Sequence, residues 1–201
     1  MKGFVVRITI ALIDAHAPIW RRVIVPATFT LADLHTVIQA AMGWYGYHLH
    51  HFTISDTLFG DREAAGEFGD KELQSERDIK MGLLAREGER LFSYVYDYGD
   101  NWTCAIILEA LYPALQGIPY PCLDGSEGAS PPEDVGGVWG YDELVAAFAD
   151  PKHDQHEEAI EQFGNDFDPE IFDNDAVAEA LATIVKPRAR SRKRPAPSAR
   201  H

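Results

Sequence analysis

Two runs of alternating residues in the middle of the chain predict a β-hairpin. They lie in residues 91–109, LFSYVYDYGDNWTCAIILE, and meet across Gly-Asp-Asn. Successive side chains of a strand point to opposite faces, so the first run turns four aromatic rings to one face. These rings belong to Phe92, Tyr94, Tyr96 and Tyr98. The chain is expected to be organised around this hairpin.

The hairpin register depends on the length of its turn. A three-residue connection would set Tyr98 opposite Trp102 and Tyr96 opposite Cys104. A register that differs by one residue would instead send Trp102 to the other face, because the side-chain period of a strand is two. The sequence leaves both registers open.

The N-terminal part of the chain predicts a second hairpin followed by a helix. Residues 4–13 and 19–25 alternate like strands, and residues 14–18 supply the turn. Thr30 followed by Asp33 is typical of a helix N-cap, and apolar residues then recur at helical spacing until Gly43. The helix is therefore expected to pack its apolar face on the sheet.

The remaining segments complete an α+β prediction. Residues 57–82 mix glycines with charges and predict a mobile excursion, and residues 112–140 predict an irregular loop rich in proline and glycine. Acidic helices are expected at 141–149, 153–163 and 174–185. The predicted fold has a mixed, mainly antiparallel sheet in ββα-β-ββ order, one packed helix and a C-terminal helical segment. Its opening order is similar to that of a β-grasp fold.

Composition and charge divide the chain into a domain and a tail. With 201 residues, 46% of them hydrophobic, the chain can form one well-packed domain, expected over residues 1–185. Seven of the 18 basic residues and no acidic residue lie in 186–201, which predicts a basic disordered tail. The domain then carries 11 basic against 32 acidic residues, so it should repel nucleic acid and anionic lipid. Weak nucleic-acid binding could start only from the tail.

The sequence predicts a cytoplasmic protein that does not contact a membrane. No apolar stretch reaches the ~18 residues that cross a bilayer, and the N-terminal alternation indicates a strand rather than a signal peptide. Cys104 and Cys122 are too few for a disulfide framework and are expected to be free thiols.

Histidines and acids near predicted turns are the best candidates for chemistry. His48 and His50 share one face of a predicted strand, a spacing that can chelate a metal, although two ligands do not make a site. The candidate ligand-binding residues are Trp44, His48, His50, Asp97, Asp100, Trp102, Glu133 and Asp134. Of these, the candidate metal ligands are His48, His50, Asp97 and Asp100. The hypothesis is that the turn end of the hairpin meets the histidines and the PPEDVGG loop.

Each candidate also has a purely structural interpretation. Asp100 can close its own turn, and Glu133 and Asp134 can do the same for PPEDVGG, by accepting backbone N–H bonds. Cys104 lies in an apolar strand, where a thiol is usually inert. The chain has no G-x-S-x-G elbow, no phosphate-binding P-loop and no C-x-x-C pair, so the sequence alone identifies no reaction, cofactor or partner.

Four landmarks carry a resemblance to a known family. They are PIWRRVIVP, LADLHTVIQAAMGW followed by YHLHHF, YVYDYGDNW, and YPCLDGSEGASPPEDVGGVWGY. In this order, over about residues 4 to 175, the sequence resembles the plasmid pRiA4b ORF-three-like family. The resemblance implies a compact α+β domain and an association with mobile elements, since some members carry labels linking them to transposon resolvases. It implies no reaction.

Two positions depart from the family pattern. Family members often have His where this chain has Cys104, and often Cys before PPED, where this chain has Ser130. If the family uses those side chains as metal ligands, this chain has changed one ligand and lost the other.

Two functions from different classes are compatible with these features. The first is a binding or accessory module that presents the aromatic hairpin and the PPEDVGG loop to a protein or a small ligand. The alternative is a metal-dependent hydrolase acting on phosphoesters. The hydrolase requires at least three of the candidate side chains to converge on one point.

Overall fold

The computed structural model describes residues 3–65 and 73–184. Its strands are β1 (Phe4–Leu12), β2 (Trp20–Pro26), β3 (His50–Ile54), β4 (Thr57–Gly60), β5 (Gln74–Ser75), β6 (Leu91–Tyr96), β7 (Trp102–Pro113) and β8 (Cys122–Glu127). Its helices are α1 (Leu31–Met42), α2 (Arg62–Ala65), α3 (Met81–Glu87), α4 (Gly137–Ala149), α5 (His156–Phe163) and α6 (Asn174–Thr183).

All these strands join in one sheet with the order β5-β4-β3-β6-β7-β1-β2-β8. Neighbouring strands are antiparallel except for β4 and β5, which are parallel. The α+β class and the mainly antiparallel sheet are thus confirmed. The sheet is larger than the five strands predicted, because β4, β5 and β8 form within segments that the sequence predicts to be irregular.

Helix α1 begins and ends where the sequence predicts. The Thr30 hydroxyl accepts a bond from the Asp33 backbone N–H, and the Asp33 carboxylate accepts one from the Thr30 backbone N–H. This capping box satisfies two of the free donors at the helix start. The helix ends at Gly43, which adopts φ 72°. Its apolar face is buried in the main core cluster together with side chains of the sheet.

The central hairpin forms, but its predicted register is wrong by two residues. Tyr96 lies opposite Trp102 and Tyr94 opposite Cys104, so the connection has five residues, 97–101, rather than three. A shift of two keeps every side chain on its face. Tyr94, Tyr96 and Trp102 are fully buried, whereas Tyr98 leaves the strand and is 55% exposed. Most of the aromatic row therefore packs in the core.

The C-terminal helices agree with the sequence within a few residues. Helix α4 starts four residues earlier than predicted, α5 starts three residues later, and α6 ends at Thr183. The predicted basic tail, 186–201, lies outside the described residues. Within the part of the chain that is described, no helix has both the length and the apolar character needed to cross a bilayer.

Candidate functional site

The hairpin turn and the PPEDVGG loop pack directly on each other. The Gly136 backbone N–H donates to Asp100 Oδ2 at 3.2 Å. Gly137 adopts φ 70°, and any side chain there would collide with the Asp100 carbonyl oxygen. A residue without a Cβ can adopt this backbone and make this approach. The structure therefore brings the two segments together, as the sequence hypothesis requires, and gives Asp100 a structural contact.

Glu133 anchors the same loop to the hairpin from inside. Its carboxylate accepts a bond from the Tyr45 backbone N–H at 2.9 Å and a second, short bond from the Tyr96 hydroxyl. Trp44 stacks on Tyr96 and donates its indole N–H to the Pro131 carbonyl at 3.0 Å. Burial and the Glu133 carboxylate raise the pKa of Tyr96, so this phenol stays protonated as a donor.

Trp102 belongs to the same buried aromatic group and does not face a cleft. It is fully buried and lies 5.8 Å from Trp44, ring centroid to ring centroid. Three of the candidate binding residues, Trp44, Trp102 and Glu133, therefore hold the hairpin and the loop in place. These three residues would influence ligand binding only indirectly, by positioning the neighbouring groups.

The imidazole of His48 faces two carboxylates. Its Nε2 atom lies 3.2 Å from Asp134 Oδ1 and 3.5 Å from Asp97 Oδ2. One ligand atom from each of the three residues lies within 4.8 Å of the other two. His48 comes from the segment before β3, Asp97 from the turn after β6 and Asp134 from the PPEDVGG loop. Three of the predicted site residues thus converge on one point.

His50 faces a different partner, which the sequence prediction does not include. Its Nε2 lies 2.8 Å from Oε2 of Glu76, a carboxylate that is only 3% exposed. With the Glu76 carboxylate as the acceptor, the His50 ring donates its Nε2–H. His50 therefore does not join His48, Asp97 and Asp134, although it extends from the same part of the chain.

His35 stacks on His50 with ring centroids 3.6 Å apart. Gln39 donates its amide N–H to the Tyr94 hydroxyl, which leaves that hydroxyl to donate to His35 Nδ1 at 2.8 Å. Because Nδ1 accepts this hydrogen bond, the His35 ring is assigned the neutral tautomer that carries its proton on Nε2. Burial, and then the neighbouring His50, lower the pKa of His35 to about 3, so the ring stays neutral at physiological pH.

The three histidines and Glu76 line one cleft of about 490 Å³. Its walls come from α1, the segment leading into β3, and the segments around α2 and β5, and include His35, His48, His50, Glu76 and Tyr98. The volume lies in the range of small-molecule sites. The cleft is acidic, because among its described lining residues Arg77 is the one Lys or Arg and is paired with Asp61 at 3.2 Å.

Two exposed tyrosines, Tyr47 and Tyr98, line this cleft. Tyr45 and Tyr47 stack with their rings 6.0 Å apart and are 80% and 62% exposed. Tyr47 also donates its hydroxyl to Asp134 Oδ2 at 3.2 Å. The Tyr98 ring lies against the His51 ring, with ring centroids 5.5 Å apart. Exposed rings with polar ends suit contact with a ligand.

Sequence reasoning missed Glu76. Glu76 lies in the segment 57–82, which lacks periodicity and for which the sequence predicts a mobile excursion. Its described part instead forms β4, α2, β5 and the start of α3. No local signal marks Glu76, because its carboxylate meets His50 only after β4 and β5 extend the sheet beside β3.

The two positions that depart from the family pattern lie away from the His48 cluster. Cys104 is fully buried in β7, and burial raises the pKa of its thiol to about 12, which indicates inert packing. The Ser130 hydroxyl accepts a bond from the buried Arg21 guanidinium at 2.7 Å. Neither residue belongs to the group formed by His48, Asp97 and Asp134.

Comparison with known proteins identifies a family and similar proteins, but the names of these proteins state no activity. A family model described as plasmid pRiA4b ORF-3-like protein matches residues 4–176. The uncharacterised protein y4hQ of Sinorhizobium fredii is 37% identical over 195 residues, covering 96% of this chain and 99% of that protein.

A solved structure supports the fold. The crystal structure of MM3350, a protein of unknown function from Methanosarcina mazei Go1, matches with a TM-score of 0.77 and 34% identity. The match covers 86% of this chain and 96% of that one.

Proposed function

This chain belongs to the plasmid pRiA4b ORF-3-like family, and we propose that it is a binding module that takes a small polar ligand into the cleft beside the hairpin turn. A role with mobile elements stays a prediction from the family resemblance. The single observation that carries the proposal is the cleft itself, which is lined by oriented imidazoles and by the exposed rings of Tyr47 and Tyr98.

Burial of the aromatic row favours a small ligand over a protein partner. Tyr94, Tyr96 and Trp102 are in the core, so the hairpin offers a partner protein little aromatic surface. Two exposed rings, Tyr47 and Tyr98, instead line the cleft. Aromatic faces beside a few fixed polar groups are typical of small-molecule sites.

The charge of the cleft favours a neutral or cationic ligand. Asp33, Asp61 and Glu76 line it with Arg77 as the opposing charge. Coulomb repulsion from these carboxylates and from the acidic domain surface opposes the entry of an anion. His35 adds a hydrogen-bond donor whose tautomer is fixed by Tyr94. Amines, polyols and nucleosides meet these requirements.

Thermal unfolding of the full-length chain tests this proposal. The probes are putrescine, arginine, glucose and adenosine, each added at millimolar concentration to metal-free protein. A ligand at about 100 times its Kd stabilises by ~2.7 kcal/mol, which should raise Tm by about 5 °C or more for a domain of this size. Tyr47→Ala and Tyr98→Ala should reduce the shift.

Trp139→Ala is the matched control, because Trp139 is 81% exposed and lines a different groove, on α4. It should leave the ligand-induced shift unchanged. The proposal is wrong if no probe class raises Tm. It is equally wrong if the shift is lost in Trp139→Ala and kept in the two tyrosine variants.

A metal-dependent hydrolase acting on phosphoesters is the second candidate. Convergence of His48, Asp97 and Asp134 favours it, together with the His50 imidazole, which Glu76 orients in the same cleft. A phosphoester would enter so acidic a site only beside a bound cation. Hydrolysis of bis(p-nitrophenyl) phosphate with added Mn²⁺ or Zn²⁺ should then be lost with a chelator and in His48→Gln. Absence of turnover with either metal excludes phosphodiester hydrolysis of this type.

A further inference from the structure

We infer that His48, Asp97 and Asp134 form a binding site for one divalent transition-metal ion, with zinc and manganese as the representative ions. The site adjoins the proposed ligand cleft, and the second candidate function rests on it. The inference requires no particular ligand in the cleft. It replaces the sequence-based set of His48, His50, Asp97 and Asp100, because the structure brings Asp134 to His48 and gives His50 and Asp100 other partners.

The spacing of the three ligand atoms fits a metal ion. Two atoms bonded to one ion at ~2.0–2.2 Å, with tetrahedral angles, lie about 3.3–3.6 Å apart. His48 Nε2 lies 3.2 Å from Asp134 Oδ1 and 3.5 Å from Asp97 Oδ2. The imidazole nitrogen therefore already lies near the required separation from each carboxylate, and one ligand atom of each of the three residues lies within 4.8 Å of the other two.

The nitrogen at the centre of this group has no hydrogen bond. His48 Nε2 is shielded from solvent, and despite the short distances it makes no hydrogen bond of acceptable geometry to either carboxylate. A buried polar atom without a partner is costly and requires an explanation. A metal ion between the three atoms would satisfy the Nε2 lone pair and both carboxylate charges at once.

Each carboxylate is already oriented through its other oxygen. Asp97 Oδ1 accepts a bond from the Gly99 backbone N–H at 2.9 Å, and Asp134 Oδ2 accepts one from the Tyr47 hydroxyl at 3.2 Å. These bonds leave Asp97 Oδ2 and Asp134 Oδ1 facing His48. Outer hydrogen bonds of this kind orient metal ligands and raise affinity.

The donor set selects the class of ion. One imidazole and two carboxylates suit zinc, manganese and related transition ions, whereas Ca²⁺ takes six to eight oxygen ligands. Three protein ligands leave a further coordination position for water or a ligand. His48 lines the cleft, so an exchangeable position beside it would be within reach of a bound molecule.

Titration calorimetry with ZnCl₂ and MnCl₂ tests the site. The protein is the full-length chain, purified without a His tag and treated with a chelator to remove bound metal. We expect one ion per chain. His48→Gln, Asp97→Asn and Asp134→Asn should each weaken binding at least tenfold. The two Asn variants preserve the fold well, because Asp97 and Asp134 adopt φ 56° and φ 60°, a backbone that Asn tolerates. Tetrahedral Co²⁺ absorption in the wild type provides a readout that needs no variant.

Two control variants separate the site from general acidity. Asp100→Asn removes a carboxylate charge from the same turn, while its amide oxygen can still accept the Gly136 N–H that holds the loop, and Asp14→Asn changes an aspartate with φ 66° in the first hairpin. Both should bind the metal as the wild type does. The inference is overturned if the wild type binds no ion, or if Asp100→Asn weakens binding as much as Asp97→Asn. A ligand-induced rise in Tm without metal binding would leave the proposed function standing and remove only this site.

Discussion

Arg21 shows how a single side chain joins the parts of the molecule that carry the site. Its buried guanidinium donates to the backbone carbonyls of Trp20, Ala41 and Glu127 and to the Ser130 hydroxyl. Burial lowers the pKa of Arg21 to about 9, which still leaves it charged at neutral pH. The residue therefore ties β2, α1 and β8 to the segment that enters PPEDVGG.

His35 should make the stability of the protein sensitive to acid. Its pKa is about 3 in the folded protein, against an ordinary value of 6.5 for an exposed histidine, so the unfolded chain binds the extra proton between these values. The free energy of unfolding should therefore fall as the pH is lowered from 6.5 towards 3. Between pH 6.5 and 4.5 the expected loss from this group is about 2–3 kcal/mol.

Urea unfolding of wild type and His35→Asn at pH 6.5, 5.5 and 4.5 measures this effect. The Asn side chain does not titrate, and its amide oxygen can accept the Tyr94 hydroxyl in place of His35 Nδ1. The variant should be less stable at pH 6.5 but lose less stability on acidification. Parallel pH profiles for the two proteins would contradict the assignment of the acid effect to His35.

At the scale of elements, the contact between the β6–β7 turn and the PPEDVGG loop positions the cluster. Asp97 comes from the turn and Asp134 from the loop, and both face His48 from the segment before β3. Neither element can place its carboxylate alone, because each is an irregular connection. Their mutual packing at Asp100 and Gly137 sets the geometry.

Gly137→Ala should disrupt this contact. Alanine at φ 70° is strained, and its Cβ would collide with the Asp100 carbonyl oxygen. We expect a loss of ~2–4 kcal/mol in the free energy of unfolding, or displacement of the loop with weaker metal binding. Urea unfolding and calorimetry with ZnCl₂ measure the two results.

The control is Gly43→Ala. Gly43 has almost the same backbone, φ 72°, but a Cβ there meets no atom within 4 Å. It should cost only the left-handed strain, ~1–2 kcal/mol, and leave metal binding unchanged. Equal losses in the two variants would show that strain alone, without the Asp100 contact, accounts for the effect of Gly137→Ala.

Across the whole molecule, charge is distributed unevenly between residues 1–185 and the last sixteen residues. Residues 1–185 hold 11 basic and 32 acidic residues, whereas 186–201 hold seven basic residues and no acid. An acidic surface repels phosphate backbones, and a basic segment attracts them through counterion release. Any association with nucleic acid should therefore depend on the last sixteen residues.

Comparing the full chain with a version that ends at residue 185 tests this dependence. In fluorescence anisotropy with a short DNA duplex at low salt, the full chain should bind weakly and lose affinity steeply between 50 and 200 mM salt, by roughly tenfold or more. The truncated chain should not bind. Equal affinity for both would place the contact on the acidic domain and contradict the prediction.

Local patterns in the sequence predict the features that extend over only a few residues. Alternation identified β1, β2, β6 and β7, and the Thr30 and Asp33 capping box with helical spacing identified α1. These elements are encoded over a few residues, because side-chain direction repeats every two residues in a strand and every 3.6 in a helix. The candidate residues of the cluster, His48, Asp97 and Asp134, were also found in this way.

Which of these candidates meet depends on long-range packing, which local patterns do not reveal. His48 and Asp134 lie 86 positions apart, and Glu76 reaches His50 from a segment without periodicity. The hairpin register also escaped prediction, because a shift of two residues keeps every side chain on its face and leaves the pattern unchanged. Local periodicity does not encode the long-range packing of turns and loops. The sequence therefore predicts residues of the site but not which of them contact one another.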